Sequence, residues 1–187
     1  MTLFEYVAVA ASLICSFSAV RLLGGAAPAL RPEVRYWVHA VWVLMLMFLL
    51  SVQWWFFWSY RDVEWDYARF MLALSPLGLL YVQSTIVVPA DTSEVKSWRA
   101  HYFDIRGRIF AIGLAMLAAM VACTVVLLGH PILHWRRVLP GSMAALFLVG
   151  LVSERPNVHG VIAVAMTALM VVAAVVFVRP GAFGIAP

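Results

Sequence analysis

Residues 36–60 read YWVHAVWVLMLMFLLSVQWWFFWSY, a run with no Asp, Glu, Lys or Arg. At about 1.5 Å of rise per residue, a helix of this run covers about 37 Å, more than the roughly 30 Å of hydrocarbon in a bilayer. A helix of that length in a soluble protein would carry charges on its solvent face. This one carries none, so it predicts a membrane span and sets a ruler for the rest of the chain.

Three further charge-free runs are long enough by that ruler, 70–90, 109–135 and 156–178. Two shorter ones, 6–20 and 138–153, cross if Glu5 and Arg21 snorkel at the ends of the first, and if Arg136, Arg137 and Glu154 flank the second. The expected fold is all-α, a polytopic integral membrane protein of about six helices. Its single transmembrane domain covers 1–178, with spans near 3–23, 36–60, 67–89, 106–129, 138–153 and 157–178, followed by a tail over 179–187. For 138–153, with Pro140 and Gly141 near its start, the alternative is a re-entrant half-crossing. Gly24, Gly25, Pro28 and Pro32 are expected to break the first connection, and Pro89 to stop the third helix.

Composition agrees with this solvent. The chain is 65% hydrophobic and 12% charged, against roughly 45–50% and 25% for soluble domains. Its net charge of +4 comes from sparse arginines between apolar runs, which excludes a basic face for nucleic acid. Cys15 and Cys123 both lie in apolar stretches and read as small hydrophobes. The first apolar run follows Glu5 instead of a positive segment, so it is expected to stay as a membrane helix.

Charge also orients the chain. The first, third and fifth loops hold Arg21, Arg31, Arg35, Lys96, Arg99, Arg106, Arg108 and Arg155, against Arg61, Arg69, Arg136, Arg137 and Arg179 on the other side. The richer side is expected to be cytoplasmic, with both termini external. Trp54, Trp55, Trp58, Tyr60, Trp65 and Tyr67 mark one interface, and Tyr36, Trp37 and Trp98 the other. In the third loop, Asp91-Thr92-Ser93-Glu94 resembles a helix start, and Val95, Trp98, Tyr102, Ile105 and Ile109 recur at helical spacing. This predicts a short interfacial amphipathic helix near 92–105, whose Trp98, Arg99, Tyr102, Arg106 and Arg108 form a rim for anionic lipid headgroups or a partner protein.

Candidate sites follow from the polar and soft residues left inside the runs. His39, His101 and His159 fall on one side of the membrane and are candidate ligands for a metal or haem iron, with Asp104 and Glu154 near them. His130 and His134 form an i, i+4 pair on the other side. Met116, Met120 and Cys123 share one helix face, and Met166 and Met170 repeat the step. Soft sulfur selects Cu(I), and this fragment resembles the Met-x-x-x-Met of copper transporters. A row of small residues, Ala111, Ala115, Ala119 and Cys123, predicts close helix packing, either onto the sixth helix or between subunits. In the third helix Ser75, Gln83, Ser84 and Thr85 beside Pro76 are the best candidates for a solute path. The openings of the second and sixth helices share an Arg-Pro followed by Val-His, a faint parallel repeat.

Nucleotide, hydrolase and zinc-protease motifs are absent, and the sequence names no cofactor. Three functional readings result. One is a homo-oligomeric channel or transporter for an ion or small solute; another is a metal- or haem-binding membrane subunit; the last is a non-catalytic accessory or lipid-contacting subunit.

Overall fold

Each charge-free run becomes a helix because the bilayer leaves backbone N–H and C=O groups no partner except one another. The computed structural model describes residues 2–177. Its helices are α1 (Leu3–Ala29), α2 (Trp37–Phe57, continued by a 3-10 turn to Tyr60), α3 (Tyr67–Val87), α4 (Trp98–Val126), α5 (Val138–Val152) and α6 (Pro156–Phe177). Among the described residues there is no strand, and five helices are long and apolar enough to cross a membrane, with α5 a shorter apolar helix. The fold is therefore an all-α polytopic membrane protein. The expected tail, 179–187, lies outside the described residues.

Local chemistry sets the helix starts. Thr2 accepts from the Glu5 N–H while the Glu5 carboxylate accepts from the Thr2 N–H, a capping box that opens α1. Asp66 caps α3 at the Arg69 N–H, 2.8 Å, and Ser97 caps α4 at the Ala100 N–H, 3.3 Å. Gly129 has φ 67°, the left-handed conformation glycine adopts without strain, and there the chain turns back so that the His130 N–H reaches the Thr124 carbonyl at 3.0 Å.

Two boundaries differ from expectation. α1 runs through Gly24, Gly25 and Pro28 to Ala29. Gly25 serves close approach here, since a Cβ at that position would lie 2.3 Å from a Val88 methyl. The separate amphipathic helix near 92–105 does not form. Asp91 instead folds residues 91–93 into a turn by accepting from the Ser93 N–H and hydroxyl, and α4 begins at Trp98 as one continuous helix. The apolar face of its first turns, Trp98, Tyr102, Ile105 and Ile109, is buried in the bundle core.

Successive helices run antiparallel. α3 packs on α4 and α1, α1 also on α2, and α4 on α5; α6 lies against α2 and α5. The small-residue row does not pack on α6, because α5 takes the place beside α4. Of that row Ala111 and Ala115 face outward, with the adjoining Ala118, whereas Ala119 is half-buried and Cys123 buried. The contact of α5 with α4 is made by rings seated on glycines, Phe147 over Gly113 and Phe110 over Gly150. α2 and α6, the two helices with the shared opening, do lie side by side, with Trp37 against Gly160.

Candidate functional site

Two groups of polar and soft side chains remain inside the bundle, one at each end. The first, at the end where α2, α4 and α6 begin, holds the expected histidines. His39 is fully buried, its ring stacked on Trp98 at 4.5 Å and edge-on to His101 at 5.7 Å. Neither His39 nitrogen has a hydrogen-bond partner among the described residues. The His101 Nε2 lies 3.3 Å from the Val87 carbonyl.

His159 is placed behind Tyr102 and is satisfied at both nitrogens. Its Nε2 is 2.9 Å from the Ser153 carbonyl, which can only accept, so Nε2 carries the proton and Nδ1 accepts from the Tyr102 hydroxyl at 3.0 Å. The same Ser153 carbonyl accepts from Arg106 at 2.6 Å, and Arg106 also pairs with Glu154. The structure thus brings His39 and His101 together and leaves His159 in a separate lock between α4 and the α5–α6 turn. Among the described residues no three His, Cys, Asp or Glu side chains are arranged to hold a metal ion.

The lipid-facing rim is corrected at the same place. Trp98 and Tyr102 do not face outward but are buried in the core, where the Trp98 indole N–H donates to the Pro28 carbonyl at 2.9 Å and ties α4 to α1. Arg99 and Arg108 stay exposed, Arg108 paired with Asp104 at 3.3 Å, while Arg106 is turned toward Ser153 and Glu154. In the adjoining loop, hydrogen bonds from Ser93 hold the Asp91 carboxyl below the ordinary carboxylate range.

The third-helix candidates do not line the cavity described below. The hydroxyls of Ser75, Ser84 and Thr85 each bond to a carbonyl three residues back on their own helix. Gln83 is buried and donates to the Ile109 carbonyl at 3.3 Å, a bridge between α3 and α4. Of this stretch, Pro76 and Leu77 are the residues that face a cavity.

That cavity is the second site, of about 230 Å³, in the half of the bundle nearer the N-terminus of α1. One face each of α2, α3, α4, α5 and α6 contributes to it. Helical spacing explains why: on α4, Gly113, Met116, Met120 and Thr124 recur every three or four residues and line one wall from bottom to top. The eleven steps from Gly113 to Thr124, at about 1.5 Å each, give a depth of about 16 Å.

Four of the five sulfur residues singled out in the sequence, Met116, Met120, Met166 and Met170, line this cavity, and Met143 of α5 joins them. Cys123 does not. Its thiol donates to the Leu72 carbonyl at 3.3 Å, toward α3. The Met116 sulfur accepts from the Gln53 amide at 3.7 Å. His130 and His134 do not form a helical pair, because residues 130–134 are an irregular connection, but both line the cavity, as does Arg137. Arg137 donates to the Thr124 hydroxyl at 2.6 Å, and its Nε–H is buried with no partner among the described residues.

Sequence reasoning missed Arg137 as a site residue, reading it only as a flank of 138–153. Its signal is the absence of any Asp or Glu nearby in sequence to pair with it. Comparison with known proteins found no matching family, no similar curated protein and no similar solved structure.

Proposed function

We propose that this small multi-pass membrane protein binds the apolar part of a small molecule in the cavity enclosed by α2, α3, α4, α5 and α6, as a lipid-contacting or carrier subunit. The observation that carries this reading is the cavity itself. Its walls are thioethers, phenyl rings and aliphatic chains, its polar groups gather toward one end, and its lining contains no carboxylate. Apolar walls with a few convergent polar groups are the usual make-up of a ligand site, and methionine walls adapt to ligands of different outline. Passage of an ion fits less well, because the hydroxyls expected to line a path bond to their own helix.

The test is native mass spectrometry of the full chain released from mild detergent, beside a Met120→Trp variant that fills the cavity. A bound apolar molecule that the variant lacks is the expected result. A wild-type protein that carries none and takes up no apolar probe overturns the reading.

A second reading, self-association, rests on the outward row Ala111, Ala115 and Ala118, where a second copy's helix can approach closely. Ala115→Cys is expected to give a disulfide-linked dimer in membranes under oxidation; a monomer throughout removes it.

A further inference from the structure

The lining of the cavity is asymmetric in charge, and that asymmetry specifies its ligand. We propose that the occupant is a single-chain amphiphile with an acidic head, a long-chain carboxylic acid, whose carboxylate sits on the Arg137 guanidinium while its chain lies along the methionine wall. This rests on the binding reading above and adds the chemistry of the head.

Four observations point the same way. Arg137 is the lining residue with a permanent charge, and no Asp or Glu lines the cavity to neutralise it. One of its N–H groups is bonded to Thr124 at 2.6 Å and another reaches the Pro131 carbonyl only at 3.5 Å, which leaves the fork incompletely satisfied. Its Nε–H is buried without a partner among the described residues. A buried donor of a cation that lacks an acceptor is costly, and a planar guanidinium matches a carboxylate with two parallel hydrogen bonds. The imidazoles of His130 and His134 line the same end and add polar surface there.

Shape selects the rest of the molecule. A volume of about 230 Å³ drawn out over some 16 Å of helix is slender. Such a shape suits a single hydrocarbon chain. Arg137 stands at the head of α5, so an acid bound there places its head at that end of the bundle and its chain inward.

The experiment uses the full chain in nanodiscs with three probes: palmitic acid, palmityl alcohol, and palmitic acid bearing a photoreactive diazirine beside the carboxylate. Wild-type protein is expected to bind the acid about tenfold more tightly than the alcohol, the size of effect a charge-assisted pair supplies. Arg137→Gln is expected to remove the preference and keep alcohol binding, which also shows the cavity intact. The photoprobe is expected to label residues between 124 and 140 in wild-type protein, a readout that does not depend on the variant folding.

Equal binding of acid and alcohol by wild-type protein overturns the inference about the head. So does a preference that survives Arg137→Gln, or labelling elsewhere. Binding of neither ligand, or binding of both undiminished in Met120→Trp, overturns the underlying cavity reading instead.

Discussion

Gly113 and Gly150 decide how closely α5 approaches α4, and neither stands out in the sequence, where the alanine row draws the eye. A glycine's importance depends on which ring faces it, and that is fixed only by the packing of another helix. A Cβ on Gly150 would lie 2.4 Å from the Phe110 ring. Gly150→Ala is therefore expected to destabilise the protein by about 1–3 kcal/mol, the usual cost of overpacking, and Phe110→Leu in the same chain is expected to recover most of it, both read from unfolding titrations in detergent. Equal stability of wild type and Gly150→Ala would mean that the ring moves aside freely. The Tyr102–His159 bond behaves differently. Tyr102→Phe keeps the shape but leaves His159 Nδ1 unpartnered in a buried site, and an expected loss of about 1–3 kcal/mol follows, measured in the same titrations. The histidines were legible as candidates; their partners were not, because Tyr102 lies 57 residues from His159.

The helices themselves were legible from run length, since a bilayer imposes one rule on all of them. Their ends were not. Glycine and proline near the end of α1 read as breakers, yet Gly25 packs against Val88 and the Pro28 carbonyl takes the Trp98 indole. The amphipathic pattern after residue 91 was real, but periodicity alone does not say whether its apolar face meets lipid or other helices. The path of α5 follows from the ties at its two ends. Its start is tied to Thr124 of α4 through Arg137, and its end to Arg106 through Ser153. Those two α4 residues are separated by about 27 Å of helix, so α5 is expected to cross fully. Leu133→Cys and Asn157→Cys should then react with a membrane-impermeant maleimide from opposite sides. Cys15 and Cys123 are buried and give a low background. Labelling of both positions from one side would make α5 re-entrant.

For the molecule as a whole, orientation depends on loop charge alone, with eight Lys and Arg against five in the sequence. Reporter fusions after Lys96 are expected to read cytoplasmic and those after Asp62 external; the reverse pattern would invert the assignment. The unequal helix lengths have a consequence for the surrounding lipid. α1 and α4 measure about 40 and 43 Å, whereas α5 measures about 22 Å and stands at the edge of the bundle with Val138, Leu148 and Val152 exposed. The charge-free run through α5, 138–153, covers only about 24 Å, so beside it the hydrophobic girdle is lower than the roughly 30 Å of hydrocarbon in a bilayer. Long helices can tilt, but a low flank is met by pinching the lipid beside it. The protein is therefore expected to melt at a higher temperature in bilayers of short-chain lipid than in thick ones, and to gather where membranes are thin or where a neighbour covers the low flank.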